Sequence, residues 1–536
     1  MARTPLLRSL VNMARKQREQ PVAVERPGSG AAWTRRRFGR VIAGTAAGTG
    51  ALLAGCTSEA GASQPRIVIV GAGIAGLSAA LELADAGIEA TVYEAAGRVG
   101  GRMFSNTTYF DQGQVFEWCG ELIDSGHLTI LALAQRFGLT LDDLLGSEPE
   151  GSEETYYFQG NYYSRADAER DFLALRPALE QDLGLAGYPT TWDTSTEHGR
   201  MLDDMSVYDW IALRVPGGHA SPLGMLLNMA YYIELNADTR EQSALNIVYL
   251  LGFQPDWADL ALYGFSDEQF HIRGGNQQIP VAIAESLGSD RVRLGRRMES
   301  IVRRPQGDYE LLFRRASGDE TVIADIVLLT LPFAVLRDLD YSEAGFDDRK
   351  HRAIQELGRG RQSKQHLQFD RRVWNEKGPR PEPGTGGSYS DTGYQATWET
   401  SRGQPGAAGI LVGYCGGACA DAMTTEVAFA TATVASVRTD ATDFLARAEP
   451  VFPGLTAAWN GRSTQGIPHL DPNFGCSYSY WRIGQYQSIA GYEGVRQGNV
   501  FFAGEHTSID FQGFMEGGAA EGVRAAQEIL AAIAGE

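Results

Sequence analysis

The feature that most constrains this chain is Ile67-Val68-Ile69-Val70-Gly71-Ala72-Gly73-Ile74-Ala75-Gly76, a β-branched run that meets a G-x-G-x-x-G turn without a gap. Four consecutive β-branched residues fit a parallel strand buried on both faces. Residues 77–86 then read as a helix closed by Gly87, and residues 90–93 as a second buried strand ending on Glu94. The glycine pattern alone is weak, but strand, turn, helix, second strand and terminal acid in this order define a dinucleotide-binding unit. Gly71 permits the tight turn, Gly73 lets backbone approach a pyrophosphate, and Gly76 lets helix and strand pack closely. Ile74 and Ala75 open the helix, whose free N–H groups and positive dipole end face the phosphates. Glu94 is placed to accept hydrogen bonds from an adenosine ribose, and its charge argues against the 2′-phosphate of NADP. The expected fold class is α/β, with a Rossmann-like nucleotide domain and a mixed α+β second domain.

At 536 residues the chain exceeds one ordinary core, and 43% apolar with 21% charged residues is a globular balance. The net charge of −19 argues against a nucleic-acid partner and favours a cationic one. That charge is uneven. Residues 1–40 hold ten Arg or Lys against two Glu, and residues 41–55 hold no charge, so the remainder carries −27. Thr34-Arg35-Arg36-Arg37-Phe38, the uncharged stretch 41–54 and Leu53-Ala54-Gly55-Cys56 resemble a twin-arginine export signal ending in a lipobox. Fourteen residues are too few to cross a bilayer as a helix. The expectation is an exported protein, periplasmic or at the cell surface, sent out folded by the twin-arginine machinery and lipid-anchored through Cys56. The other cysteines, Cys119, Cys415, Cys419 and Cys476, fit core thiols, and no metal site is expected.

Further along, Tyr156-Tyr157-Phe158 and Tyr162-Tyr163 around Gly160-Asn161 suggest a hairpin, and residues 167–251 read as mostly helical. Residues 324–331, ending at Pro332, read as one buried strand, and the Pro- and Gly-rich stretch 378–387 as a surface loop.

Glu94-Ala95-Ala96-Gly97-Arg98-Val99-Gly100-Gly101-Arg102 resembles the second glycine-rich segment of the flavin amine oxidase superfamily. Gly504-Glu505-His506-Thr507 and Gly513-Phe514-Met515-Glu516-Gly517-Gly518 resemble its closing motif. The resemblance spans residues 65–536, dense at the ends and thin in the middle. It implies FAD held non-covalently by Gly71, Gly73, Ile74, Ala75, Gly76, Glu94, Ala95, Arg98, Gly100, Gly101, Arg102, Met298, Gly504, Glu505, Gly513, Phe514 and Met515. It also implies a split chain. The FAD domain takes residues 65–125, 268–333 and 475–536, the substrate domain takes 126–267 and 334–474, and 1–64 form the signal and tether.

The same resemblance assigns the chemistry. Lys364 takes the position of the lysine that holds a water against flavin N5. Tyr478 and Phe514 stand for the walls of an aromatic cage, with Trp481 beside Tyr478. Glu117, Cys119 and Glu121 would share one strand face, with Glu117, Glu121 and Asp124 available to a substrate ammonium. The reaction implied is hydride transfer from an amine to the flavin, hydrolysis of the iminium, and reoxidation by dioxygen to hydrogen peroxide. No Arg stands between Arg102 and Arg136, which tilts the reading from an L-amino-acid oxidase towards an amine oxidase, unless Arg165 or Arg240 serves a carboxylate. A surface lipoprotein that binds a nucleotide or an amine without turnover is the rival from another class.

Overall fold

The computed structural model describes residues 64–380 and 382–535. The arginine-rich segment, the uncharged stretch, Cys56 and the spacer through residue 63 lie outside the described residues. Among those described, no helix is long and apolar enough to cross a membrane.

One sheet is wholly parallel. Its strands are β1 (Ile67–Val70), β2 (Ala90–Tyr93), β3 (Val292–Arg293), β4 (Ile326–Leu329) and β5 (Val500–Phe502), in the spatial order β5-β4-β1-β2-β3. The strand order therefore reverses at β1, and such a switch point opens a crevice at the carboxyl ends of the strands. Ile67 and Ile69 join the apolar layer formed with helices α1 (Ile74–Asp85) and α2 (Met515–Ala534), whereas Val68 and Val70 join the core on the opposite face. Burial on both sides is why every position of β1 is β-branched. Gly76 is forced by packing, because a Cβ there would lie 2.0 Å from the carbonyl oxygen of Gly71.

A second sheet has eight strands, in the order Phe429–Thr431, Trp459–Gly466, Gln362–Phe369, Gly409–Gly416, Ala396–Glu399, Gly384–Ser390, Glu153–Phe158 and Asn161–Tyr163. All neighbours are antiparallel except Gly384–Ser390 with Glu153–Phe158. Residues 165–252 form five helices, as the sequence pattern predicts. Ser164, Thr196, Ser206, Ser221 and Ser243 cap their starts by accepting backbone N–H groups two or three residues on.

Four local expectations need correction. The hairpin turn is Gln159-Gly160, both at positive φ, and Asn161 already belongs to the returning strand. The run 324–331 is two strands, Glu320–Ala324 and β4, broken at Asp325, whose carboxylate accepts from Arg66. Gly384–Ser390 is a fully buried strand inside the eight-stranded sheet, not a surface loop. A Cβ on Gly386 would lie 3.0 Å from the Glu399 side chain and 3.1 Å from Trp374, so its glycine makes room for the buried indole. Glu117 and Glu121 do not share a strand face, because the strand is only Phe116–Glu117, paired with Ser105–Asn106.

Candidate active site

A cavity of about 580 Å³ starts at the carboxyl ends of the parallel strands and runs to the eight-stranded sheet. At its nucleotide end lie Gly71, Gly73, Ile74, Ala75, Glu94 and Ala95, with Gly100, Gly101, Arg102 and Met298 beside them. Neither α1 nor α2 has a side-chain cap at its start, so both helix N-termini offer free N–H groups to this space. Glu94 accepts from the backbone N–H groups of Ala72 and Ala96, each at 2.7 Å, and burial pushes its carboxyl above the usual range. Arg102 ion-pairs with Glu505 at 2.9 Å and donates to the carbonyl of Ser477 at 2.8 Å. Burial opposes the charge of Glu505, but Arg102 and His506 outweigh it and hold the carboxyl below its ordinary value. Gly504, Glu505, Gly513, Phe514 and Met515 complete this wall from residues more than 400 positions downstream. Two uncapped helix starts, an acid beside the strand end and a paired arginine fit a dinucleotide cofactor.

Two of the expected cofactor residues do not line the cavity. Arg98 does not line the cavity; its guanidinium donates to the carbonyls of Val99 and Gly101 and stacks over Phe104 at 3.7 Å. Gly76 serves helix packing and is likewise absent from the lining.

Lys364 sits near the start of the buried strand Gln362–Phe369, between Tyr414 and Gly466 of the flanking strands. Its side chain is 2% exposed, yet it lines the cavity. The ammonium donates to the carbonyl of Cys119 at 3.0 Å and pairs with Glu121, whose other oxygen accepts from Trp398 Nε1 at 3.1 Å. Burial would raise the Glu121 carboxyl, but the Lys364 ammonium overrides it and brings the group down to about 2.

Tyr478 and Phe514 both line the cavity. The Tyr478 hydroxyl donates to the carbonyl of Glu234 and stands 3.3 Å from the Tyr414 hydroxyl, while the Phe514 ring meets His127 edge-on at 5.3 Å. Trp481 lies outside the lining. Its indole donates to Glu493 at 2.9 Å and packs on Tyr486, so it belongs to the core and not to the cage.

The expected substrate acids are reassigned by their partners. Glu117 is fully buried and accepts from Ser105 Oγ, from the Asn276 N–H at 2.8 Å and from His271 at 2.9 Å, holding the loop before the helix Gln278–Leu287. Asp124 accepts from Ser266 Oγ at 3.0 Å and from the Glu268 N–H at 2.9 Å, so it shapes the cavity rim without lining it.

Sequence reasoning missed two unpaired carboxyls that face the cavity. Glu234 ends the helix Pro222–Glu234, and Glu268 stands in a left-handed turn at φ 49°. Both line the cavity, and neither side chain has a hydrogen-bond or ion-pair partner among the described residues. Burial first, then the nearby Asp124 carboxylate, pushes Glu234 up to about 7 and Glu268 up to about 8, the latter also through Glu234. Arg402 and Arg165 line the same lobe but are already paired, with Glu148 at 2.6 Å and Glu169 at 2.8 Å. Arg240 is exposed, over the ring of Tyr208. Glu234 carries one readable signal, a lone acid closing the apolar stretch Met229-Ala230-Tyr231-Tyr232-Ile233.

A switch-point dinucleotide site that opens directly onto a buried lysine and unpaired carboxyls fits a cofactor-dependent oxidoreductase. The comparisons with known proteins name the group. Residues 74–530 match the model of the flavin containing amine oxidoreductases. "Probable polyamine oxidase 4" of Arabidopsis thaliana is 25% identical over 484 residues, 87% of this chain and 86% of that one. A putrescine oxidase of Kocuria rosea is 26% identical over 381 residues, 67% of this chain and 74% of that one. The solved cyclohexylamine oxidase of Brevibacterium oxydans shares the fold, with a TM-score of 0.72 at 19% identity, covering 88% of this chain and all of that one. The chain belongs to the flavin-containing amine oxidoreductase family and is an oxidoreductase of carbon–nitrogen donors with a flavin cofactor.

Proposed function

We propose that this enzyme oxidises amines carrying a second cationic centre, diamines or polyamines, with FAD bound non-covalently and dioxygen as the acceptor. The observation that carries the substrate class is the pair Glu234 and Glu268, two carboxyls in the cavity with no partner among the described residues. An unpaired acid in a partly dry site is costly, and an ammonium ligand removes that cost. The Tyr478 hydroxyl donates to the backbone of Glu234, so the acids and the cage lie within one small molecule's length.

Bound flavin supplies an acceptor for the electron pair of the C–H bond beside nitrogen. The residues supply placement and charge. Tyr478 and Phe514 flank the reacting amine, which must be neutral for its lone pair to assist. Glu234 and Glu268 hold the distal ammonium and fix which carbon is presented. Lys364 aims its remaining N–H into the cavity, where it holds a water. The released iminium adds water and splits to an aldehyde and an amine or ammonia, and dioxygen leaves as hydrogen peroxide. Cys476 supports non-covalent binding, because its thiol is buried, pushed up to about 11 by that burial, and outside the cavity lining.

A peroxide-release panel of putrescine, spermidine, tyramine and common L-amino acids tests the reading. Putrescine or spermidine turning over at least tenfold faster than tyramine supports it. Preference for amino acids overturns it in favour of an L-amino-acid oxidase, against which the occupied Arg165 and Arg402 already argue. We also propose export by the twin-arginine route with acylation at Cys56, on the sequence pattern of residues 34–56. Membrane fractionation of the Cys56→Ser variant tests that.

A further inference from the structure

We propose that Glu121 is the positioning counterion of Lys364: a buried carboxylate that keeps the lysine charged and aims its one free N–H at the reaction space. This rests on the amine-oxidase reading above and departs from the sequence expectation that Glu121 receives a substrate ammonium.

The geometry leaves Glu121 little freedom to bind anything else. One oxygen takes the Lys364 ammonium, the other takes the Trp398 indole N–H at 3.1 Å, and the side chain is 5% exposed. Lys364 is as constrained. Of its three N–H bonds, one goes to Glu121 and one to the Cys119 carbonyl at 3.0 Å, and its place in the cavity lining directs the third outward. Trp398 is the brace, since its ring also lies 5.4 Å from the ammonium.

The surroundings supply no other counter-charge. Cys119 is pushed up to about 12, chiefly by burial, so it stands as a neutral thiol. His366, two residues along the strand, is pushed down to about 3 by burial and by Lys364, so it is a neutral ring. His271 faces Glu121 from beyond and is raised by its pairing with Glu117. Among the described residues, Glu121 is therefore the one carboxylate within ion-pair distance of Lys364. A lysine at 2% exposure without an anion loses its proton readily. Elsewhere in this molecule Lys350 shows the outcome. Its ammonium donates to the carbonyls of Tyr492 and Glu493 and has no carboxylate within ion-pair distance among the described residues, and burial pushes it down to about 7. A neutral Lys364 would lose the charge that stabilises negative charge arriving on the cofactor and on dioxygen.

The chain makes the test direct, because 536 residues contain only four lysines, Lys16, Lys350, Lys364 and Lys377. Enzyme grown on lysine labelled with carbon-13 at Cε gives at most four signals to follow against pH, and Lys364→Met assigns one. In flavin-loaded Glu121→Gln, the Lys364 signal is expected to titrate about 2 pH units lower than in the unaltered enzyme. kcat should fall about tenfold or more above that new midpoint, with KM for the amine within about twofold. Glu121→Asp should recover part of the shift, and it carries the same measurement if Glu121→Gln fails to load flavin. An unchanged Lys364 titration in the variant that loads flavin overturns the proposal. So does a raised KM at constant kcat, which would return Glu121 to the substrate. Absence of amine turnover in the unaltered enzyme would remove the functional reading alone, since the lysine titration reads the pair independently.

Discussion

The two ends of the cavity are built on opposite principles. At the nucleotide end recognition is made by backbone: uncapped helix starts, glycines that admit close approach, and an acid already satisfied by two N–H groups. At the amine end the side chains are left unsatisfied, since Glu234 and Glu268 carry no partner among the described residues and burial pushes both carboxyls up to about 7 and about 8. The first end depends on close packing of backbone, as at Gly76, where a Cβ would lie 2.0 Å from the Gly71 carbonyl oxygen. The second tolerates changes of shape and depends on charge. Steric damage at one end should be absolute, and charge removal at the other graded and substrate-specific.

The largest expected effect is at Gly76. Gly76→Ala places a methyl 2.0 Å from the Gly71 carbonyl oxygen, at a cost of about 3 kcal/mol or more. It should yield protein without flavin absorbance and with a markedly lower Tm; a flavin-loaded variant of normal Tm would break the steric half of the comparison. Next comes Lys364→Met, expected to retain flavin but to slow turnover by about 10²-fold, resolved into its half-reactions by stopped flow. At the other end, Glu234→Gln or Glu268→Gln should each raise KM for putrescine by about tenfold, on the order of 1.4 kcal/mol. Tyramine should be nearly unaffected, and equal losses for both amines would break the charge half.

A smaller effect sharpens the boundary of the site. Trp481→Phe removes the indole donor of the buried Glu493, costing on the order of 1–3 kcal/mol of stability, while turnover stays within about twofold. The smallest effect is a pH slope. Both Glu234 and Glu268 have folded values raised above the ordinary 4.5, so their stability contribution is complete below 4.5 and is lost as pH rises through about 7 and 8. The Glu234→Gln/Glu268→Gln protein should lose less Tm between pH 5 and 9 than the parent, by on the order of 2 °C. KM for a diamine should fall over the same interval as the acids ionise.

This division also explains what could be read from the sequence. The nucleotide end was legible because backbone requirements write themselves as glycines and β-branched runs at fixed spacing, and Gly71, Gly73, Glu94 and Glu505 all face the cavity. Arg98 was misread because spacing says nothing about which carbonyls an arginine will find, and here it finds those of its own loop. Lys364 stood out by its strand setting, and Tyr478 and Phe514 by their place in the closing segments. Glu117, Asp124 and Trp481 misled because each looks polar or aromatic in the right stretch but is consumed by a buried partner. Glu268 was invisible, and Glu234 was legible only as an acid closing an apolar stretch, because their meaning lies in lacking partners, a property of the folded neighbourhood. The second half of the stretch 378–387 was misread for a related reason, since Gly386 makes room for the packing of Trp374 in the strand Gly384–Ser390.

The parallel sheet places its last strand at Val500–Phe502 and closes with a helix reaching Ala534. A growing polypeptide on the ribosome must therefore have emitted Val500–Phe502 before the edge of β4 is covered, and the helix Met515–Ala534 before the coenzyme has a complete berth. Until then that edge is open to wrong pairing. Chains cut short before Val500 should be sticky substrates for proteases and chaperones instead of weakened enzymes.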